Sequence, residues 1–158
     1  MCILKKGDHI GIVACSNGQP LANNTKIESL LLQLKNLNLT PICSEYIYEV
    51  NSPFNGSAED KGKAFMNLYK NHEVKAIFDI SGGDLANEVL DYLDYDYIFK
   101  NPKPFFGYSD LTTVLNAIYS QTNNPVYLYQ VRNLIYSDSE NQKANFINSL
   151  FNDKDDLF

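Results

Sequence analysis

Short apolar runs alternate with amphipathic stretches along the whole chain. Each run has the length of a buried β-strand and is followed by turn-forming residues. The expected strands are residues 9–14, 41–43, 76–80, 104–108 and 126–128. Between them, apolar residues recur at three- and four-residue spacing, which is typical of one face of a helix. The expected helices are residues 23–37, a helix capped by Ser57, and residues 85–93, 110–119 and 142–151.

Strands that alternate with helices predict a parallel sheet with helices packed on it. We therefore expect an α/β domain with an open, mainly parallel sheet and helices on both faces, as in flavodoxin-like or Rossmann-like three-layer domains. The 158 residues are enough for one such domain and too few for two ordinary ones. Residues 1–151 are expected to form the domain, and residues 152–158 to be the start of a linker or a frayed tail.

Composition and charge exclude several classes of partner. A net charge of -6 would repel phosphates, which argues against nucleic acid or an anionic membrane as a partner. No segment approaches the roughly 20 apolar residues of a membrane span, and no signal peptide is indicated. Cys2, Cys15 and Cys43 show no metal-binding spacing, so we expect reduced cysteines, a cytoplasmic protein, and neither metal nor cofactor.

Three loops should meet at the carboxyl edge of the sheet, where open α/β sheets bind their ligands. They are the loop after the first strand, which contains Ser16, the segment 81–84, and the turn at Ser109. Candidate substrate contacts on the first two loops are Ser16, Gly82 and Asp84. The sequence therefore predicts that any chemistry lies at this edge.

Ser109 stands between an expected strand and the following helix. A serine in that turn can raise its hydroxyl above the sheet edge, beside free N–H groups of the helix. Gly107, two residues earlier, resembles the first glycine of a G-x-S-x-G nucleophile elbow, but Leu111 replaces the second glycine. Ordinary helix capping by Ser109 explains the same spacing, so the pattern alone leaves both interpretations open.

The glycine pair 82–83 permits either a sharp turn or a close approach of backbone to a ligand. Because both glycine-bearing turns share one edge, their N–H groups could together form an oxyanion pocket. No general base is evident there. His9 and His72, the only histidines, lead into strands and should lie at the opposite edge, and the nearby Asp84 and Asp110 are weak bases for a hydroxyl.

Four ordered motifs resemble the LD-carboxypeptidase family of serine peptidases, which includes muramoyltetrapeptide carboxypeptidases and microcin C immunity proteins. The resemblance covers about residues 7–122 and is most specific at its last motif. The matching stretches are Gly-Asp-His-Ile-Gly-Ile-Val-Ala-Cys-Ser at 7–16, Lys-Ala-Ile-Phe-Asp-Ile-Ser-Gly-Gly at 75–83, Leu-Asp-Tyr-Leu-Asp-Tyr-Asp-Tyr-Ile at 90–98, and Asn-Pro-Lys-Pro-Phe-Phe-Gly-Tyr-Ser-Asp-Leu-Thr at 101–112.

The resemblance implies that Ser109 is the nucleophile of a serine carboxypeptidase, with an oxyanion hole formed by the N–H groups of Asp110 and Gly83. It also implies a small peptide substrate, cut at an L,D-bond in murein peptides or at a related acyl bond in a peptide–nucleotide. The family's glutamate and histidine lie in a separate carboxy-terminal domain, and nothing in these 158 residues matches them. The chain alone is then expected to be inactive, and the full-length protein to be a homodimer.

Three departures from the family pattern bear on substrate choice. Cys15 replaces a usual proline, residues 84–87 resemble the microcin-immunity branch, and residues 129–132 stand where a Gly-Pro turn is usual. Two other functions remain open. One is a non-catalytic ligand-binding domain or truncated relic, and the other is a receiver-type signalling domain, which the lack of an acidic cluster after the first strand disfavours.

Overall fold

A computed structural model of the protein describes residues 2–152. Five parallel strands form one sheet in the order β2-β1-β3-β4-β5. This is the flavodoxin-like order of doubly wound sheets, and it confirms the expected fold class. The strands are β1 (His9–Val13), β2 (Thr40–Cys43), β3 (Val74–Asp79), β4 (Phe105–Gly107) and β5 (Val126–Leu128).

All five expected strands are present, and the expected helices differ mainly at their ends. The α-helices are α1 (Asn24–Asn36), α2 (Ala58–Lys70), α3 (Tyr95–Lys100), α4 (Thr112–Thr122) and α5 (Ser139–Leu150). The helix expected at 85–93 is instead a 3-10 helix, Ala86–Tyr92, and α3 was not predicted. With six residues, α3 is too short to give a periodic apolar pattern.

Neighbouring residues of each strand pack on opposite faces of the sheet. Ile77 belongs to a buried cluster with residues of α2, α3 and α4, whereas Phe78 belongs to a second cluster with residues of α1 and α5. This alternation follows from the two-residue period of a strand. Because both faces are covered, polar side chains reach the sheet mainly at the ends of its strands.

Ser57 begins α2 as the sequence predicts. Its hydroxyl accepts from the Asp60 N–H at 3.1 Å, and the Asp60 carboxylate accepts from the Ser57 N–H at 3.2 Å. This reciprocal capping box satisfies two N–H groups that the helix itself leaves free. At the other end of α2, the Lys103 ammonium donates to the carbonyls of Tyr69 at 2.6 Å and Asn71 at 2.9 Å.

The switch point of the sheet lies between β1 and β3, because the chain leaves β1 for one side and returns to the other. The loops after β1, β3 and β4 all leave the same edge. None of the helices within residues 2–152 is long and apolar enough to cross a membrane. The predicted tail lies almost entirely at 153–158, outside the described residues.

Candidate active site

Ser109 occupies a left-handed backbone conformation immediately after β4, with φ of 60°. A serine side chain in this region costs on the order of 1–3 kcal/mol, and strained positions of this kind are enriched at functional sites. The hydroxyl is exposed and has no hydrogen-bond partner among residues 2–152. Helix capping by Ser109 is therefore wrong: α4 starts only at Thr112, and a short 3-10 turn, Ser109–Leu111, precedes it.

Gly107 allows this turn to close tightly. A β-carbon added at Gly107 would lie 2.8 Å from the β-carbon of Leu111, closer than packed side chains come. Leu111 is fully buried and packs in the cluster beneath α4. The leucine that replaces the second glycine of the elbow pattern therefore fills space that the first glycine leaves open.

The glycine pair is asymmetric. Gly83 has a φ of +130°, and a β-carbon there would collide with the Asn17 side chain. A β-carbon added at Gly82 would point into open space, with no atom within 4 Å. Asn17 also ties the two loops together, because its N–H donates to the Gly82 carbonyl at 3.2 Å and its side-chain oxygen accepts from the Asp84 N–H at 3.2 Å.

The Asp110 carboxylate links all three loops of the sheet edge. It accepts from the Ser16 hydroxyl at 2.5 Å and from the Ala86 N–H at 2.8 Å. The Ser16 hydroxyl in turn accepts from the Leu85 N–H at 3.2 Å. Hydrogen bonds to a carboxylate are among the stronger ones in proteins. This network therefore fixes the turn at Ser109 relative to the loop after β3, residues 81–84, which we call the glycine loop.

The structure places two expected substrate contacts elsewhere. Ser16 is fully buried, and its hydroxyl already contacts Asp110 and Leu85, so it lies beneath the site. Asp84 is exposed on the glycine loop and does not line the cleft beside Ser109, whereas Gly82 does. Ser16 therefore supports the turn at Ser109 indirectly, by its hydrogen bond to the Asp110 carboxylate.

A buried carboxylate supports the first two loops from below. Asp79, at the end of β3, accepts from the Cys15 N–H at 2.8 Å and from the Ser81 hydroxyl at 2.6 Å. The Ser81 hydroxyl accepts from the Ser16 N–H at 2.9 Å. Burial raises the pKa of Asp79, and burial together with this carboxylate raises the pKa of the Cys15 thiol well above its usual value. Cys15 is therefore an unreactive thiol in the core.

Lys61 is a buried cation beneath the same loops. Its ammonium donates to the Ser16 carbonyl at 3.2 Å and lies 3.6 Å from the Glu88 carboxylate. Its side chain is only 1% exposed, so the charge depends on these oxygens. The burial of Lys61 could have been predicted from the sequence, because this lysine lies on the apolar stripe of α2 with Ala64, Phe65 and Leu68.

A cleft of about 550 Å³ opens beside Ser109. It reaches from the glycine loop across the ends of β4 and β5 to α5. Arg132 and Asn133 come from a 3-10 helix, Val131–Ile135, that follows β5 and that the sequence analysis did not predict. The cleft is lined by Ser81, Gly82, Tyr108, Ser109, Leu128, Tyr129, Gln130, Arg132, Asn133, Tyr136, Gln142 and Asn145.

The groups for acyl transfer are only partly present at this edge. The N–H groups of Asp110 and Gly83 donate to no group among residues 2–152, so they are free to bind an oxyanion. His9 begins β1 and His72 precedes β3, which places both at the opposite edge of the sheet, as the sequence predicts. Within the described residues, this edge of the sheet therefore carries an exposed serine hydroxyl and two N–H groups that are not hydrogen-bonded, and no histidine lies there.

Comparison with known proteins identifies the same region. A family model described as the LD-carboxypeptidase N-terminal domain matches residues 10–130. A Bacillus subtilis protein named "Putative carboxypeptidase YocD" is 36% identical over 125 residues, which are 78% of this chain and 38% of that protein. A second protein from that organism, "Probable murein peptide carboxypeptidase", is 28% identical over 119 residues, covering 75% of this chain and 36% of the relative.

A solved structure has the same fold. Microcin C7 self-immunity protein MccF, in complex with aspartyl sulfamoyl adenosine, superimposes with a TM-score of 0.86 at 25% identity. The match covers 93% of this chain and 45% of that one. The chain thus spans less than half the length of each of these three proteins.

Proposed function

Because the chain belongs to the LD-carboxypeptidase family, we propose that its full-length protein is a serine carboxypeptidase or amidase with Ser109 as the nucleophile. The observation that carries this proposal is the Ser109 turn. Its left-handed backbone presents a free, exposed hydroxyl to a cleft that the glycine loop also lines. An ordinary surface or capping serine has no need of a strained backbone at that position.

The proposed reaction is acyl transfer in two steps. The Ser109 oxygen attacks the carbonyl carbon of the scissile bond while a base accepts the hydroxyl proton. The N–H groups of Asp110 and Gly83 stabilise the negative oxygen of the tetrahedral intermediate. The amine leaves with the proton from the protonated base, and water then hydrolyses the acyl-enzyme by the same steps in reverse order.

The base has to come from outside residues 2–152. His9 and His72 lie at the wrong edge, and the Asp110 carboxylate already accepts two hydrogen bonds. A histidine and a glutamate supplied by a carboxy-terminal domain, as the family resemblance implies, would complete the triad. In this proposal residues 1–151 are the nucleophile domain of a longer protein, which is a homodimer.

For the substrate, we propose a small peptide with an L,D-bond, as in murein, or the related acyl bond of a peptide–nucleotide. Relatives named for murein peptides and for microcin immunity support these two classes. The three free cysteines, Cys2, Cys15 and Cys43, fit a reducing compartment such as the cytoplasm. The proposal requires neither a metal nor a cofactor.

A fluorophosphonate probe tests the nucleophile directly. In the full-length protein we expect covalent labelling of Ser109, because only an activated serine attacks phosphorus readily. The Ser109→Ala variant is the control and should remain unlabelled, whereas Ser120→Ala, which removes an exposed serine of α4, should label normally. Labelling that survives Ser109→Ala, or is absent from the full-length protein, would contradict the proposal.

A non-catalytic binding domain or truncated relic is the second candidate. The absence of a base among residues 2–152 favours it for a protein that ends with this chain. The coding sequence beyond Phe158 separates the two candidates. A second domain with a histidine and a glutamate that face this sheet edge supports the hydrolase, and a stop codon supports the binding domain.

A further inference from the structure

The cleft beside Ser109 carries a positive charge, although the chain as a whole is acidic. Among the described residues that line the cleft, Arg132 is the only Lys, Arg, Asp or Glu. The other polar groups there are hydroxyls, amides and backbone. A ligand in this cleft therefore meets one cationic group and no carboxylate that would repel an anion.

Arg132 is held through its backbone and through its side chain. Its backbone N–H donates to the Gln130 side-chain oxygen at 3.2 Å, and the Gln130 amide donates to the Ser81 carbonyl at 3.4 Å. Its guanidinium donates from one terminal nitrogen to the Gln19 oxygen at 3.1 Å, and the buried Gln19 amide donates to the Ile80 carbonyl at 3.3 Å. Both chains of contacts end on the segment that leads from β3 into the glycine loop.

Within residues 2–152, the charge of Arg132 has no counter-ion. The ion pairs of the described residues do not include Arg132, and its single side-chain acceptor is a neutral amide. Among residues 2–152 the Nε–H group is buried and has no acceptor. The guanidinium charge is balanced by no described carboxylate, and a bound anion would supply the counter-ion.

We propose that Arg132 binds the free terminal carboxylate of the peptide substrate and thereby selects acids over amides. A planar guanidinium matches a carboxylate in shape and donor geometry, which makes arginine well suited to this task. The inference deepens the proposed function, since a carboxylate bound in the same cleft as Ser109 directs the nucleophile to the last peptide bond. Selection of the terminal residue would then reside in this chain.

Binding by the 158-residue chain tests the inference without turnover. The probes are N-acetyl-L-lysyl-D-alanine and its C-terminal amide, which differ in the charge at one end only. By NMR titration we expect the acid to bind about tenfold more tightly than the amide, as one charge-assisted contact allows. The acid should also shift the Arg132 Nε–H resonance, a readout that needs no substitution.

Two variants separate the guanidinium from general charge effects. Arg132→Gln should abolish the preference for the acid, while Lys100→Gln, which removes an exposed lysine at the end of α3 and outside the cleft, should leave it intact. Should Arg132→Gln unfold, the Nε–H shift in the native chain decides. Equal binding of acid and amide, no binding of the acid up to about 10 mM, or an unmoved Nε–H resonance would overturn the inference.

The preference for the acid over the amide does not depend on the Ser109 hydroxyl. Because binding does not need the Ser109 hydroxyl, the same titration on Ser109→Ala should give the same preference. Failure of fluorophosphonate labelling would remove the proposed catalysis and leave the carboxylate site standing. Loss of the acid preference would remove the site and leave Ser109 as the nucleophile.

Discussion

At the scale of single residues, the turn at Ser109 stores backbone strain. Its φ of 60° is a conformation that glycine adopts freely and other residues adopt at a cost. The side chain makes no contact that would compensate, since its hydroxyl has no partner among residues 2–152. Substitutions of Ser109 that remove the hydroxyl can therefore measure the backbone strain by itself.

Ser109→Gly should be more stable than Ser109→Ala by about 1 kcal/mol, because only alanine retains the left-handed penalty. Urea unfolding of both variants measures the difference. Asn116, exposed in the middle of α4, is the matched control. There the alanine variant should be more stable than the glycine variant by about 1 kcal/mol, since helix interiors disfavour glycine. Equal stability of the two Ser109 variants would show that the turn is not strained.

The two glycines of the β3 loop should respond differently to alanine. Gly83→Ala combines a disfavoured φ with a collision against Asn17, so we expect a loss of about 2–3 kcal/mol. Gly82→Ala meets open space and should change stability by less than about 0.5 kcal/mol. Thermal unfolding compares the pair, and a reversed order would contradict the assignment of Gly83 as the constrained position.

Residue identities in the turn were predictable from sequence, whereas their contacts were not. The strand-to-helix position of Ser109 and the glycine pair stand out as local patterns. The bond between Ser16 and Asp110 joins residues 94 positions apart, which no local pattern contains. The position of Arg132 in the cleft is unpredictable for the same reason, because the cleft is formed by segments that follow β3 and β4, by β5 and by α5.

At the scale of elements, the carboxyl end of α2 depends on Lys103. The Lys103 ammonium contacts the last carbonyls of α2, where a cation is favourable, yet burial and the nearby Lys75 lower its pKa to about 8. The lysine of the Asn-Pro-Lys segment therefore has a structural role. It joins α2 to the segment that leads into β4.

The lowered pKa of Lys103 predicts a stability that rises with pH. Between pH 8 and about 10.4 the folded chain loses this proton while the unfolded chain keeps it, so folding is favoured as pH rises. The stability difference between the native chain and Lys103→Met should widen from pH 7 to pH 9.5. Guanidinium unfolding at both values measures it; Lys26→Met, at an exposed position, should show no such widening.

Elements with a strong period were predictable and short elements were not. The apolar stripes of α1 and α2 and the five strands are where the sequence places them. The sequence predicts a helix at 85–93 but not that it is a 3-10 helix, since three- and four-residue periods are hard to distinguish over two turns. Helix α5 begins three residues earlier than expected, at Ser139, because its first turn is polar.

At the scale of the whole molecule, the chain has a complete core and, in the proposed function, only part of an active site. Two buried clusters cover the two faces of the sheet, so the fold needs no further domain to bury its strands. The cleft, by contrast, opens to solvent beside Ser109, and the exposed Tyr108, Leu128 and Tyr136 lie on its lining. The chain can therefore fold without the domain that the proposed catalysis requires.

We expect the 158-residue chain alone to release D-alanine from a murein tetrapeptide at least about 10⁴-fold more slowly than the full-length protein, because triads lose that much without their base. A coupled assay for free D-alanine measures the rates. The comparison with Ser109→Ala of the same chain sets the background. Robust release that depends on Ser109 in the isolated chain would contradict the assignment of the base to another domain.

The Asp110 carboxylate has a consequence for how the sheet edge moves. Proteins open locally in cooperative units, and one carboxylate here contacts the loop after β1, through Ser16, and the loop after β3, at the Ala86 N–H. The amide protons of Leu85 and Ala86 would then exchange with solvent in a single opening event, at one free energy. A substrate would meet this edge either assembled or released as a unit, with no intermediate in which one loop has moved alone.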